Sequence, residues 1–247
     1  MKITIITVTY NSAESIRETL ESMARQSHKD VEHIIIDGGS TDKTLSIIEQ
    51  YKENIAILVS EKDNGIYDAM NKGCALAHGE IIGFLNSDDT YANDHILEHI
   101  AEAFNKQKCD VLYGNLIYKS NHDKNIRYWK SNAFRKNSLK YGWMAPYPTL
   151  YCKKQVYDMI GHFDTQFNIS ADYDFILRTF SQSTLKFYHL PVVMINMTIG
   201  GASNGSFHKI LNKSHEDWIA IKKNHIGSIV TLIAKNVRKI SQLVRCL

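Results

Sequence analysis

The spacing of apolar residues along the first half of the chain alternates between a pattern typical of strands and one typical of helices. Short runs rich in Ile, Val and Thr predict buried strands at 2–9, 31–36, 55–59 and 81–85. Segments with apolar residues every three or four positions predict helices at 13–26, 41–52, 66–77 and 94–104. This alternation predicts an α/β fold with a mostly parallel central sheet and helices on both faces.

The second half of the chain is less regular. Residues 110–117 and 150–152 predict strands, and 171–180 predict a helix. From residue 226 onward apolar residues recur at helical spacing, with Lys235, Arg238, Lys239 and Arg245 between them. A basic amphipathic helix of this kind favours contact with an anionic membrane surface. The alternative is a helix that packs on the domain or on a second subunit.

Composition narrows the class of protein. A chain of 247 residues is long enough for one large domain or two small ones, and its net charge of +3 does not favour nucleic acid as a partner. The cysteines are scattered without a CxxC pair, which favours a reducing cytoplasm over a zinc site or a disulfide framework. The chain begins with a strand rather than a signal peptide, and no apolar run approaches the ~20 residues that span a bilayer.

Polar clusters follow three of the predicted strands, at residues 9–11, 37–42 and 86–89. The carboxyl ends of parallel strands lie at one edge of a sheet, where ligands bind, so we expect these clusters to line one cleft. Taken singly, each cluster is also explained by turn or helix-cap chemistry.

Asp88 and Asp89 form the most informative pair, because they closely follow the apolar strand at 81–85. Two adjacent carboxylates repel each other unless a proton or a cation relieves them. At the end of a strand they can hold a divalent metal whose remaining positions are filled by the phosphates of a nucleotide. The alternative is that Asp89 caps the following helix.

These motifs together resemble those of the inverting glycosyltransferases of family 2, which have a GT-A fold. The matching segments are 7–11, 37–42, 64–73, 79–89, 161–164, 171–178 and 200–204. The resemblance covers residues 1–205 and implies a nucleotide-sugar-binding half (1–110) and an acceptor-side half (111–205). A helical basic tail (206–247) would follow. Similar sequences act in the assembly of bacterial exopolysaccharide, O-antigen and colanic acid.

The resemblance implies an enzyme that transfers a sugar from a nucleotide diphosphate donor, with a UDP-sugar expected. The acceptor would be a hydroxyl of a saccharide or a lipid-linked saccharide. Asp37 would accept the N3–H of a uracil-type base, and the backbone at Thr9, Tyr10 and Asn11 would frame that base. Such an enzyme is expected in the cytoplasm at the inner face of the cell membrane, in contact with it through 226–247.

The resemblance also assigns the reacting groups. Asp88 and Asp89 take the positions of the metal-binding acids, Asp88 also lies at the nucleotide, and Mg²⁺ or Mn²⁺ suits an oxygen-only site. Asn86 stands where the family motif has its first acid. Asp172 matches the general base that takes the proton from the attacking hydroxyl. The alternative, that an acid complements the helix N-terminus, is preferred for Asp174.

Other residues are expected at the rims of the cleft. Asp68 is expected to contact the nucleotide or to cap its own helix, and Lys72 to reach a phosphate or to be a solvated helix charge. Trp143 and Tyr147 are expected on an acceptor-side wall, since sugars stack on aromatic faces. Residues 200–204 are expected to form a loop over the diphosphate.

Two other classes of protein stay open. A nucleotidyltransferase that makes a sugar nucleotide would normally have a Gly-rich, basic loop after the first strand, where this chain has Tyr10, Asn11, Ser12 and Ala13. An inactive module that binds a nucleotide or saccharide stays open because Asn86 replaces an acid. A Rossmann dehydrogenase is disfavoured, because no GxGxxG follows the first strand.

Overall fold

Strands and helices alternate along the chain in the computed structural model, which describes residues 1–120, 124–198 and 207–243. The strands are β1 (Ile3–Thr9), β2 (Val31–Asp37), β3 (Ile57–Ser60), β4 (Ile81–Phe84), β5 (Asp89–Tyr91), β6 (Val111–Lys119), β7 (Asn125–Trp129), β8 (Tyr151–Lys153) and β9 (Phe187–Thr198). The α-helices are α1 (Ile16–Ala24), α2 (Thr44–Ile48), α3 (Ile66–Leu76), α4 (Ile96–Gln107), α5 (Lys154–Ile160), α6 (Ala171–Phe180), α7 (Phe207–Lys223) and α8 (Ile229–Leu243). Short 3-10 helices cover Glu49–Asn54, Lys136–Tyr141 and Tyr147–Thr149.

The first four strands form a parallel sheet, as the sequence predicts. β1 lies between β2 and β4 and is parallel to both, and β2 is parallel to β3. Thr9 at the end of β1 pairs with Asp37 at the end of β2. The polar residues that follow these strands therefore emerge at one edge of the sheet.

The second half of the sheet mixes parallel and antiparallel pairs. Its order is β3-β2-β1-β4-β8-β6-β9-β5, with β7 paired to β6. β8 is antiparallel to β4 and β6, whereas β6 and β9 are parallel. The sequence pattern does not predict β5 or β9. β5 has only 3 residues, and β9 contains Pro191 and pairs with β6 through shifts in register.

The first two helices begin later than the sequence pattern predicts. The hydroxyl of Ser12 does not cap α1, because it lies 2.9 Å from the hydroxyl of Ser87, and the helix starts at Ile16. α2 starts only at Thr44, and Asp42 before it accepts the N–H of Ala13 in the neighbouring loop (3.1 Å). Polar side chains near these helix starts thus bond across loops and hold the edge of the sheet together.

Side chains of β1 pack into two hydrophobic layers, one on each face of the sheet. Ile6 and Val8 belong to the layer that includes side chains of α3 and α6. Ile3 and Ile5 belong to the layer that includes side chains of α4. Burial on both faces explains why both sides of this strand carry apolar residues.

The two C-terminal helices contact α6 and the segment before it. Glu216 on α7 accepts the N–H groups of Ile169 (2.8 Å) and Ser170 (2.9 Å). The ammonium of Lys235 on α8 lies 3.7 Å from the ring centroid of Tyr173. Within the described ranges, no helix combines the length and apolarity needed to cross a membrane.

Candidate active site

Three loops meet at the carboxyl edge of the parallel sheet, those after β1, β2 and β4. The backbone N–H of Asn11 donates to the hydroxyl of Ser40 (2.8 Å), and Asn11 Oδ1 accepts the N–H of Thr41 (2.9 Å). The hydroxyls of Ser12 and Ser87 lie 2.9 Å apart. These hydrogen bonds confirm that the three polar clusters lie together.

Asp37 ends β2 with a fully buried carboxylate whose oxygens are both engaged within the protein. Its Oδ2 accepts the N–H groups of Gly39 (3.2 Å) and Ser40 (3.0 Å) and the hydroxyl of Ser60 (2.7 Å). Its Oδ1 accepts the hydroxyl of Ser40. Oδ2 thus accepts three hydrogen bonds and Oδ1 one, so a base that contacts Asp37 through Oδ2 has to replace one of the present donors.

Thr9, Tyr10 and Asn11 lie directly beside this turn. The carbonyl of Thr9 accepts the N–H of Gly38 (2.9 Å), and its buried hydroxyl has no hydrogen-bond partner among the described residues. Tyr10 is 62% exposed, so its ring is open to a planar ligand. Asn11 has a left-handed φ of 49°, a conformation that asparagine tolerates better than most residues.

Asp88 and Asp89 lie at the same edge, where β5 begins. Asp89 is 1% exposed, and its Oδ2 accepts the side-chain N–H of Asn86 (3.1 Å). Its Oδ1 has no hydrogen-bond partner in the described part of the chain. Burial and the charge of Asp88 raise the pKa of Asp89 well above its ordinary range, and burial raises the pKa of Asp88. Such a pair is unfavourable without a counter-charge.

The donor atoms around Asp89 fit a hard divalent cation. Asn86 Oδ1 is also buried without a partner among the described residues, so two oxygens lack a donor. Over the same residues, no group of three or more His, Cys, Asp or Glu side chains is placed to hold a metal. The protein thus offers a carboxylate pair, and oxygens of a bound diphosphate would complete the shell. The alternative that Asp89 caps α4 is wrong, because His95 precedes that helix.

Asp172 lies in the first turn of α6. Its Oδ1 accepts the backbone N–H of Tyr173 (2.8 Å) and lies 3.4 Å from the hydroxyl of Tyr67, which also donates to the carbonyl of Ile169 (2.7 Å). Burial raises the pKa of Tyr118, and the charges of Asp89 and Asp172 raise it further. The sequence does not single out Tyr67, whose hydroxyl lies 3.4 Å from Asp172, or Tyr118, on which the charges of both acids act.

Acidic residues of α7 hold the segment that precedes Asp172. Glu216 accepts the backbone N–H groups of residues 168–170 (3.1, 2.8 and 2.9 Å). Asp217 accepts the hydroxyl of Ser170 (2.9 Å). Sequence patterns miss these contacts, because Ser170 and Glu216 are 46 positions apart. The sequence gives one sign of a role for Asp217: no acidic residue follows it, so the later basic residues have no acid after them to pair with.

Three lysines surround Asp217. Lys235 pairs with it, and Lys213 lies 3.7 Å from it. Burial lowers the pKa of Lys213, but Asp172 and Asp217 outweigh this effect and hold it above its ordinary value. Burial lowers the pKa of Lys235 to about 7, and Lys239 contributes to this lowering. Lys235 is 3% exposed, so the expectation that this lysine faces a membrane surface is wrong.

Asp174 has the structural role that the sequence favours for it. Its carboxylate is completely buried and accepts hydrogen bonds from Arg178 (2.8 Å) and Asn224 (2.8 Å). These contacts tie α6 to the C-terminal end of α7. Asp174 therefore stabilises the helix whose first turn carries Asp172.

Asp68 and Lys72 lie on α3 and bond mainly to neighbouring residues. Asp68 accepts the N–H of Asn64 (3.0 Å) and lies 3.5 Å from the ammonium of Lys72. Lys72 also lies 2.7 Å from a carboxylate oxygen of Glu61. These contacts fit the local alternative for Asp68, and a phosphate that binds Lys72 has to compete with Glu61.

The predicted acceptor-side wall differs from the structure. Tyr147 is 6% exposed and packs against Phe84 and Phe163, so the expectation that it faces a sugar is wrong. Trp143 is also buried, but it lines a cavity of about 570 Å³. The loop expected at 200–204 lies outside the described residues.

Comparison with known sequences gives a clear family match. The model "Glycosyl transferase family 2" matches residues 4–167. A PGL/p-HBAD biosynthesis glycosyltransferase from Mycobacterium bovis (strain BCG / Pasteur 1173P2) is 32% identical over 206 residues, which are 81% of this chain and 78% of the relative.

Comparison with solved structures supports the same fold. S. aureus TarS 1-349 in complex with UDP-GlcNAc has a TM-score of 0.70 at 20% identity, covering 91% of this chain and 65% of that chain. The mannosyltransferase PcManGT from Pyrobaculum calidifontis, in complex with GDP-Man and Mn²⁺, has a TM-score of 0.68 at 18% identity, covering 99% and 73%. A longer TarS chain is covered over only 40% of its length. These neighbours confirm the predicted GT-A fold.

Proposed function

Because this chain belongs to glycosyltransferase family 2, we propose that it catalyses inverting, metal-dependent transfer of a sugar from a UDP-sugar to a saccharide hydroxyl. The acceptor is a saccharide or lipid-linked saccharide in the assembly of a cell-surface polysaccharide. One observation carries the proposal. Asp89 is buried beside Asp88 at the carboxyl edge of the parallel sheet, with an oxygen that lacks a partner among the described residues.

The donor side of the proposal rests on the edge of the parallel sheet. Asp37 and its turn recognise the base, with Thr9, Tyr10 and Asn11 beside it. Structures similar to this chain contain UDP-GlcNAc or GDP-Man, which supports a nucleotide-sugar donor. Asp68, Lys72 and Asp88 complete this side of the site, further from the base.

Asp88 and Asp89 would hold a Mg²⁺ or Mn²⁺ ion together with the donor's diphosphate. The bound ion would neutralise the negative charge that develops on the leaving diphosphate. The Mn²⁺-containing neighbour and the unpartnered oxygens of Asp89 and Asn86 support this assignment.

Asp172 acts as the general base. The backbone N–H of Tyr173 donates to Oδ1 of its carboxylate, which orients the group and leaves Oδ2 for the acceptor hydroxyl. As that oxygen bonds to the anomeric carbon, its proton passes to Asp172 and the bond to the diphosphate breaks.

The test uses the metal-dependent hydrolysis of a panel of UDP-, GDP- and dTDP-sugars, in which water replaces the acceptor. Asp172→Asn should lower hydrolysis of the preferred donor by about 100-fold or more, because the base is lost. Donor binding, measured by thermal shift with Mn²⁺, should stay unchanged. Asp158→Asn, on the exposed side of α5, is the matched control.

Three outcomes would contradict this function. Hydrolysis by Asp172→Asn at the wild-type rate would exclude Asp172 as the base. Release of pyrophosphate from a nucleoside triphosphate and a sugar phosphate would indicate the nucleotidyltransferase instead. Donor binding without any hydrolysis or transfer by the wild type would indicate an inactive binding module.

We also propose that α8 lies against an anionic membrane surface through its outward face. Ile229, Val230, Ile233 and Val237 are 51–60% exposed and lie along the side of the helix that is turned away from Lys235. An exposed apolar stripe on a basic helix suits a surface of anionic lipid. Thr231 and Lys235 pack toward the domain, so α8 combines both alternatives that its sequence pattern leaves open.

Flotation with phosphatidylglycerol vesicles tests the membrane contact. The double variant Ile233→Ser with Val237→Ser should lose most of the binding to these vesicles, while its melting temperature stays close to that of the wild type because both side chains are exposed. Leu58→Ser, an exposed apolar residue on β3, is the matched control. Equal flotation of wild type and double variant would exclude this face as the contact.

A further inference from the structure

A basic cavity lies between β7, the turn that follows the second 3-10 helix, and α8. Its volume is about 570 Å³, within the size range of sites that bind small molecules. Four cationic side chains line it, and no Asp or Glu is among the described residues that do so. The cations are Lys130, Lys235, Arg238 and Lys239.

Cations crowd together around the cavity. Asp217 pairs with Lys235 behind the wall, but the described contacts give Lys239 only the side-chain oxygen of Asn236 (3.2 Å). Burial and the nearby Lys213 lower the pKa of Lys239, as expected where cations crowd together. An anion in the cavity would relieve this repulsion.

Aromatic groups give the cavity an apolar side. Tyr128, Trp129 and Trp143 line it together with the cations. The indole N–H of Trp143 donates to Asn132 (2.9 Å), which fixes the ring in the wall. A ligand with an anionic group and an adjoining sugar or hydrocarbon would contact both kinds of surface.

The cavity adjoins the candidate base rather than the nucleotide edge. Lys235 in its wall lies over the ring of Tyr173, the residue after Asp172. The charge of Asp172 acts on Lys239, which also lines the cavity. Asp37 and its turn belong to the opposite half of the sheet, at β2. The cavity therefore borders the helix that carries Asp172 and lies away from the turn of Asp37.

We propose that this cavity binds the phosphate or diphosphate group of the acceptor, which makes the acceptor an anionic, phosphate-bearing saccharide. This inference rests on the proposed function, because it assigns the cavity to that reaction. Lys130, Arg238 and Lys239 hold the phosphate oxygens through charge-assisted hydrogen bonds, and the aromatic side contacts the apolar part of the acceptor. A neutral saccharide with the same sugar would lack the main attraction.

Calorimetric titration of the full-length protein with geranyl diphosphate in EDTA tests the site, with geraniol as the uncharged probe. Geranyl diphosphate and inorganic pyrophosphate should bind, and geraniol should not. The double variant Lys130→Gln with Arg238→Gln should bind geranyl diphosphate at least about ten-fold more weakly, because it lacks two charged donors. Lys52→Gln with Lys106→Gln, which removes two exposed lysines elsewhere, is the matched control and should bind as the wild type does.

Competition and vesicle binding identify the source of the phosphate. UDP should not displace geranyl diphosphate, since displacement would place the probe at the donor edge and overturn the proposal. If the double variant loses only its binding to phosphatidylglycerol vesicles and keeps that of geranyl diphosphate, the cavity binds lipid headgroups and the acceptor assignment is wrong. Binding of geranyl diphosphate within two-fold of the wild type in the double variant, with melting temperatures matched, also overturns it.

Failure of the proposed function shows itself in a separate measurement. Donor hydrolysis by the wild type does not involve the acceptor's phosphate, so it reports on the reaction alone. If hydrolysis is present but the titration gives no binding, the inference fails and the proposed function stands. If the titration gives binding but the wild type neither hydrolyses nor transfers from any donor, the assignment of the cavity to an acceptor fails with the function.

Discussion

Two buried aspartates of this protein differ in how their charge is compensated. Asp89 is buried beside a second carboxylate, and one of its oxygens lacks a partner among the described residues. Asp217 is equally buried, but it accepts a hydrogen bond from Ser170 and pairs with Lys235. Burial raises the pKa of Asp89. At Asp217 the cationic neighbours outweigh burial, and they lower the pKa of this acid.

The difference separates a charge kept for a ligand from a charge used in folding. A folded protein stabilises a buried acid with its own cation when the acid only has to hold helices together. An acid that binds an external cation has no such partner within the protein, so its burial costs free energy as long as no cation is bound. In the proposed function Asp89 is of the second kind, whereas Asp217 is of the first.

The largest expected effect is on catalysis at Asp89. Asp89→Asn should lower metal-dependent donor hydrolysis by about 100-fold or more, because the cation loses a charged ligand. In EDTA the same variant should be at least as stable as the wild type, because the repulsion from Asp88 is gone. Hydrolysis with Mn²⁺ and thermal melting in EDTA measure the two effects, with exposed Asp94→Asn as control. A lower melting temperature of Asp89→Asn than of the wild type in EDTA would indicate that Asp89, like Asp217, has a structural role.

The next effect is on stability at Asp217. Asp217→Asn should lower the free energy of unfolding by about 3–5 kcal/mol, the usual result of breaking a buried ion pair. Glu102→Gln, which breaks the exposed pair with Lys106, should cost no more than about 1 kcal/mol. Urea unfolding measures both. If Mn²⁺ restored the stability of Asp217→Asn, the contrast between the two acids would not hold.

The smallest effect is a pH dependence that arises from Lys235. Its pKa in the folded protein is about 7, below its ordinary value of 10.5, so the unfolded chain binds more protons between these values. Stability therefore rises with pH in this window, by up to about 2 kcal/mol between pH 7 and pH 9. The groups that face the ammonium are Asp217 and Lys213 on α7, Tyr173 on α6 and Lys239 on α8.

Lys235→Met separates this contribution from other titrations. The variant should show a smaller rise in the free energy of unfolding from pH 7 to pH 9 than the wild type, in urea titrations at both values. An equal rise in the two proteins would mean that Lys235 keeps its proton throughout the window.

The first half of the fold follows from the sequence, because its information is local. Strands with apolar residues on both faces and helices of period 3.6 predict the parallel order of β1 to β4, and the polar residues after them predict a shared edge. Asp37, Asp88 and Asp89 were predicted at this edge in this way, since each ends a strand or lies close after one, and as site residues they stay a prediction.

The surroundings of Asp172 follow less well from the sequence, because they depend on contacts between distant residues. Glu216 and Asp217 hold the start of α6 from more than 40 positions away in the chain. The helical pattern predicts Lys235 as a surface charge, but in the structure Lys235 is buried and pairs with Asp217. Tyr147 is predicted on a wall but lies in the core, because a pattern of aromatic residues does not reveal which face is covered.

In the proposed function, the turn around Asp37 affects how a donor is chosen. Ser40 and Ser60 already donate hydrogen bonds to the carboxylate, so a base that bonds to the same oxygens competes with these residues. A base with an N–H at the matching position exchanges one hydrogen bond for another and loses little. A base that presents a hydrogen-bond acceptor at that position displaces a hydrogen bond without forming another. Bases are therefore discriminated by whether they replace the hydrogen bond that they displace.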